Sequence, residues 1–461
     1  MLDLIIAGGQ AVIGDTVFRA DIAVDNGLIV AIGGLAGLPG ARRVLDASGL
    51  HVLPGAIDCH VHFRDPGSTY KENWRTGSAA AAMGGVTTVL DMPNTEPPTS
   101  NPGALALKRE RARALSHVDW GLYAVLDESS LPHVEALAGE GVAGFKCFMT
   151  ETTGDLTPPD DGVVFEGLGR LAPLGVRCSV HAENAAIMVR RRQQFMAAGR
   201  TDARAHEESR PEVCEVEAVN RAATLALAAG ARLHIAHVSS AGGVQAIRRA
   251  RTDGLDLTAE TCPQYLLFNE RDVDALAGMV RVNPPIRGGA HPQALWAGLA
   301  DGTIGMIATD HAPHTEEEKR NPDIWRCCRG MIGLETQMPV MLTEVQRGRM
   351  SLPDYVHWVA TRPAQAWGLY PRKGHIGLGA DADFAIVDMG VEDRIDQSAL
   401  QSLNRISPWH GRFVTARVIH TLVRGRPVAE DRRLVGEPGW GQETKPQWGP
   451  VGTPVHRGCG A

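Results

Sequence analysis

The sequence lacks the features that direct a chain to a membrane, a nucleic acid or a disulfide-built scaffold. No uninterrupted apolar run among its 461 residues approaches the roughly 18 needed to span a bilayer, and Met1-Leu2-Asp3-Leu4 lacks the basic start of a secretory signal. No block of Lys and Arg stands out, and 46 basic against 53 acidic residues leave a net charge of -7. That balance excludes the electrostatic footprint of a nucleic-acid binder or a membrane-surface helix. The eight cysteines, at positions 59, 147, 178, 214, 262, 327, 328 and 459, form no CxxC pair and no disulfide framework. Reduced, buried, small side chains are expected. Cys327 and Cys328 are adjacent, which admits a redox or metal role beside plain packing in a loop. A small-molecule substrate, a cytoplasmic location and no nucleic-acid or membrane partner follow as expectations.

What is present is order of two kinds. Residues 1–53 read as short β segments broken by glycine, with Asp25-Asn26-Gly27 as hairpin punctuation before Leu28-Ile29-Val30. The pattern returns in Gly379–Val387 and Val414–Gly425, which predicts one small β-sandwich domain composed of 1–53 and 372–435. Between them, over 54–371, short apolar runs alternate with helical stretches, the βαβα signature of a parallel sheet. Eight strands are expected to begin near Ala56, Val86, Val118, Val142, Val176, Leu233, Leu255 and Ile304. Eight units over some 320 residues predict an α/β fold, a closed (β/α)8 TIM barrel, with chemistry at the carboxyl ends of the strands. The Gly-, Pro- and Trp-rich residues 436–461 read as an extended arm able to cover a neighbouring subunit.

The chemistry-bearing residues fall at those strand ends. His60 and His62, two apart in a strand, project from one face and can share an ion. Lys146, His181, His237 and Asp310 close four further strands. A lysine flanked by Phe145 and Phe148 is readily neutralised, and a neutral amine can take up carbon dioxide as a carbamate whose two oxygens bridge two cations. The expected centre holds two divalent ions, zinc being the natural choice. His60 and His62 serve one, His181 and His237 the other, the Lys146 carbamate lies between them, and Asp310 completes a shell. His234, an odd step from His237, is expected on the other face of its strand, and His311 is expected to point away from Asp310.

With this set in view, the sequence resembles the cyclic amidohydrolases of the amidohydrolase superfamily: dihydroorotase, allantoinase, and hydantoinase or dihydropyrimidinase. The resemblance spans about residues 1–435 and implies a (β/α)8 barrel with a composite β-sandwich, a zinc pair and a homo-oligomer. Val61-His62-Phe63-Arg64-Asp65-Pro66-Gly67 and Asp91-Met92-Pro93-Asn94-Thr95 are dihydroorotase-like, whereas Gly144–Phe148, Glu208–Glu212 and Glu260–Tyr265 are similar to allantoinase or hydantoinase segments. The dihydroorotase resemblance implies that Arg64, Asn94 and His314 bind a ring carboxylate and that Asn283 contacts the ring. Salt bridging of Arg64 to Asp65 or Glu72, and a turn role for Asn94, are the structural alternatives.

Two departures bear on the substrate. Cys327-Cys328-Arg329-Gly330 replaces the Ala-Pro-x-Gly stretch of dihydroorotases before Gly333-Leu334-Glu335-Thr336, and Arg329 could alter anion recognition. Glu151 stands where hydantoinases place a tyrosine. Dihydroorotase is the leading expectation, with allantoinase or a hydantoinase-type enzyme, acting on another ring that could be carboxylated, as the alternative and a non-catalytic scaffold as the remote one. In each enzyme, Asp310 is expected to relay the proton of the attacking water to the leaving nitrogen.

Overall fold

The structure, a computed structural model, describes residues 1–34, 39–154 and 156–449. Eight parallel strands form the central sheet: β6 (Ala56–Val61), β7 (Val86–Asp91), β8 (Asp119–Val125), β9 (Gly144–Phe148), β10 (Cys178–His181), β11 (Leu233–Ile235), β12 (Leu257–Thr261) and β13 (Met306–Ile307). They stand side by side in chain order. Each begins within two residues of its expected start. A parallel bridge between Val61 and His311, with His62 N donating to His311 O (2.8 Å), brings the two edges together into a nearly closed barrel. Helices follow most strands and bury small faces against them, as in Trp74–Met83, where Gly77 and Ala79–Ala82 are buried.

Ahead of the barrel lie β1 (Leu2–Ile13), β2 (Thr16–Asp25), β3 (Leu28–Gly33), β4 (Ala41–Asp46) and β5 (His51–Pro54). After it come β14 (Phe384–Asp388), β15 (Asp393–Arg394), β16 (Phe413–Val414), β17 (Arg417–Val423), β18 (Arg426–Glu430) and β19 (Arg433–Leu434). Strand β5 pairs with β1 on one side and β14 on the other, so both ends of the chain share one nine-stranded sheet. The β2–β3 hairpin turns at Asn26 (φ 52°) and Gly27 (φ 76°), the positive-φ pair a two-residue hairpin needs.

A buried charge cluster joins sheet and barrel. Lys373 Nζ donates to Asp119 of β8 (2.7 Å) and Asp383 (2.6 Å) and lies 2.9 Å from Asp381, while Arg424 of the β17–β18 turn pairs with Asp119.

Residues 436–449 fold back on the chain's own barrel rather than reaching away from it. Trp120 N donates to Gln442 O (3.0 Å), Thr444 N to Trp120 O (2.7 Å) and Gln447 N to Gly368 O (2.9 Å), and Trp448 meets Trp367 edge-on. Paired main-chain groups and an aromatic contact supply the order that composition alone did not suggest. The rest of the expected arm, 450–461 with Cys459, lies outside the described residues. No helix among the described residues is long and apolar enough to cross a membrane.

Candidate active site

At the carboxyl ends of the strands opens a pocket of about 470 Å³, continuous with solvent. His60, His62, Arg64, Asn94, His181, His237, Asn283, Asp310 and Arg329 line it. The backbone leaves regular β geometry there: Arg64 (φ 59°), His237 (φ 38°) and Asp310 (φ 49°) all adopt the left-handed conformation that a side chain disfavours. Such local cost persists where surrounding contacts over-determine it.

Two imidazole pairs face each other across the barrel mouth. His60 Nε2 and His62 Nε2 lie 3.4 and 3.2 Å from Asp310 Oδ1, and these three residues form a cluster able to hold an ion. Opposite, His181 Nδ1 and His237 Nε2 point at one another across 2.9 Å. The His60 and His237 rings are 5.2 Å apart, so the pairs belong to one centre.

Hydrogen bonds behind the rings select which nitrogens are presented. His60 Nδ1 contacts Glu260, His62 Nδ1 meets Asn94 Oδ1 (2.8 Å), and His181 Nε2 meets Glu183 (2.9 Å), itself paired with Arg210. Burial pulls the His62 imidazole down to about 3, favouring the neutral ring that a cation binds. Burial would raise Asp310, but His60 and His62 outweigh it and hold the carboxyl below its ordinary value.

Lys146 lies beneath these groups in β9. Its Nζ is fully buried, 5.4 Å from the Phe148 ring centre, and has no hydrogen-bond partner among the described residues. An unpaired ammonium there would cost several kcal/mol, and burial lowers its pKa against the opposing pull of Glu260 and Asp310. An orphaned buried amine whose charged form is disfavoured fits a carbamate, and with the two imidazole pairs a metal pair.

The substrate-side residues divide. Arg64 is buried, and its Nε and Nη1 have no hydrogen-bond partner among the described residues. Neither alternative for it is realised: Asp65 pairs with Arg111, and Glu72 accepts from Thr76 and Leu403 N. Asn94 lines the pocket but spends its amide on His62, Thr152 Oγ1 (3.2 Å) and Thr153 O (3.1 Å). Asn283 sets its amide oxygen to accept from Arg210 Nη2 (3.0 Å).

His314 is not in this pocket lining. Its Nε2 donates to Arg329 O (2.9 Å), and its Nδ1 accepts from Lys71 Nζ (3.2 Å), so both nitrogens are engaged. Cys327 is buried, with Sγ 3.3 Å from Lys319 O, a packing role, while Cys328 is half-buried beside His314 and Glu318.

His234 corrects the parity argument. It turns inward, sharing Glu260 with His60 (3.2 Å from His234 Nε2), because β11 ends at Ile235 and the strand alternation stops before His237. His311 does point away from Asp310, its Nδ1 accepting from Gly333 N (3.1 Å). Sequence reasoning missed Glu260 and Glu183 as supports of the histidines. The signal available was a carboxylate in or just beyond a strand end that is otherwise buried.

Barrel, joined sheet and paired histidines define a hydrolase acting on cyclic amides, and residues 51–428 match the model of the Amidohydrolase family, to which the chain belongs. Among curated relatives it is 40% identical over 449 residues to an allantoinase of Rubrobacter xylanophilus, covering 96% of this chain and 98% of that one. It is 36% identical over 447 residues to an L-hydantoinase of Paenarthrobacter aurescens, with 96% and 98% covered. Of solved structures, an L-hydantoinase (dihydropyrimidinase) from Arthrobacter aurescens superposes with a TM-score of 0.94 at 36% identity, covering 96% of this chain and all of that one. The dihydropyrimidinase of Brevibacillus agri gives 0.91 at 32% identity, covering 97% and 99%. These relatives favour the allantoinase or hydantoinase alternative over the dihydroorotase reading.

Proposed function

We propose that this chain opens a five-membered cyclic ureide of the allantoin or hydantoin class. The observation that carries the reading is end-to-end similarity to an allantoinase and an L-hydantoinase. His60 and His62 would hold one divalent cation, His181 and His237 a second, with Lys146 as carbamate and Asp310 completing the set, zinc being the expected metal. Bound there, the cations supply Lewis acidity toward the ring carbonyl and acidify water.

Asp310 accepts the proton released as water adds to the carbonyl and returns it to the departing ring nitrogen. Its carboxylate is suited to this because the neighbouring imidazoles hold it ionised. Glu260, Glu183 and Asn94 keep the imidazoles in the correct tautomer and orientation. Phe148, Asn283 and Ala312 line the pocket and would form the wall against which the ring rests. We also propose that copies of the chain assemble, which light scattering would read.

A second reading, ring closure or opening of dihydroorotate, is favoured by the unpartnered Arg64 guanidinium, a fixed donor pair for a ring carboxylate. A substrate panel on metal-loaded protein, comparing allantoin, hydantoin, dihydrouracil and dihydroorotate, separates the two. The first reading expects allantoin or hydantoin to exceed dihydroorotate by about tenfold or more in kcat/KM. The reverse order would overturn it.

A further inference from the structure

The pocket carries a guanidinium for which the ring-opening reaction has no use, and the loop that bears it is held at four successive carbonyls. Cys327 O accepts from Arg281 Nη1, Cys328 O from Lys319 Nζ (3.0 Å), Arg329 O from His314 Nε2 (2.9 Å) and Gly330 O from Lys319 Nζ (2.6 Å). Lys319 and His314 are themselves buried. Gly330, at φ 145°, has Ala312 O only 2.3 Å from where a Cβ would stand, so only glycine lets the two segments meet.

The backbone is thus fixed while the Arg329 side chain remains a quarter exposed and lines the pocket. Its guanidinium makes no hydrogen bond among the described residues. The nearest carboxylate, Glu151, is over half exposed, stands 3.7 Å away and is shared with Arg192 at 3.8 Å. At those distances the contacts are loose ion pairs, worth little in solvent. Glu151 is thus divided between two guanidinium groups and neutralises neither fully.

A planar donor fork is matched to a carboxylate, and the loop that carries this one has little backbone freedom left to lose on binding. We propose that Arg329 binds a carboxylate at the end of the substrate's exocyclic arm, so that the preferred substrate is a cyclic ureide bearing an acidic arm. The inference rests on the ring-opening reading above and adds the chemistry of the arm. Lys319 and His314 act as positioning residues for this contact.

The test uses metal-loaded full-length protein with hydantoin, hydantoin-5-acetate and its neutral isostere hydantoin-5-acetamide. Acid is expected to exceed amide by about tenfold in kcat/KM, chiefly through KM. In Arg329→Gln that ratio should fall toward one, and Arg329→Lys should recover part of it. Lys319→Met should raise KM for the acid more than for the amide, a split that loss of fold alone would not produce. Should Arg329→Gln not fold by circular dichroism, the wild-type ratio and the Lys variant decide.

A wild-type ratio near one, or a ratio unmoved by Arg329→Gln while hydantoin is still opened, overturns the arm and leaves the ring reading standing. If none of the three rings opens, the ring reading fails. Calorimetry of N-carbamoyl-aspartate against N-carbamoyl-asparagine then decides: tighter binding of the acid, lost in Arg329→Gln, supports the contact, and equal binding overturns it.

Discussion

Glu260 acts from behind the first pair of histidines, contacting His60 Nδ1 and His234 Nε2 at once. Burial would raise its carboxyl, but the two imidazoles hold it well below the ordinary range, so it stays an acceptor. Glu260→Gln keeps the shape and removes the charge, and metal affinity is expected to fall about 10- to 100-fold. Competitive chelator titration reads this directly, and unchanged affinity would reduce Glu260 to a packing residue. A different carboxyl answers to pH. Glu335 is raised by burial to about 8, against the pull of main-chain N–H groups at Gln401 and Ser402. A folded-state pKa above the unfolded 4.5 means that its contribution to stability is full below 4.5 and is lost as pH rises toward 8. Glu335→Gln, permanently neutral, should therefore gain stability over wild type at pH 8 and little at pH 4.5. Urea unfolding at the two pH values checks this, and a difference that does not widen with pH refutes it.

The strand elements were legible because a strand buried on both faces reads as a short apolar run before a helical period, and β6 to β13 fall where such runs begin. The same logic found His60 and His62, two apart where β6 leads into the mouth. It failed at His234, since β11 is only three residues long and parity cannot be counted past its end. The Arg329 loop was illegible for another reason: its shape depends on Lys319, Arg281 and His314 meeting carbonyls that no local pattern announces. Contacts between elements distant in sequence are equally silent, and the Lys373 cluster is the strongest case. Lys373→Met leaves Asp119, Asp381 and Asp383 with Arg372 and Arg424 as their cationic partners among the described residues. Breaking such a buried set costs about 3–5 kcal/mol. Denaturant unfolding should show that loss, and a cost under about 1 kcal/mol, the surface-pair range, would mean that the remaining arginines suffice.

Across the whole molecule, the candidate ligands lie in or just beyond five of the eight strands, with His60, His62 and Asp310 on either side of the closure between β6 and β13, Lys146 and His181 on β9 and β10, and His237 two residues past β11. That closure is thinly built. Strand pairs elsewhere in the barrel are hydrogen-bonded ladders, whereas Val61 and His311 meet at an isolated bridge with His62 N donating to His311 O. Ions held by residues from both sides would therefore act as the missing rungs. A ligand that binds only the folded state stabilises it by about 4 kcal/mol when its free concentration is a thousand times its Kd. Chelated protein is accordingly expected to melt lower and to recover with added zinc. Global stabilisation alone would raise protection evenly across the barrel. If the ions close the seam, the His62 amide should lose more hydrogen-exchange protection on chelation than the Phe145 amide, which bonds Arg177 O within the β9–β10 ladder (3.1 Å). Equal loss at the two sites would show that the seam does not depend on metal, even if the melting temperature does.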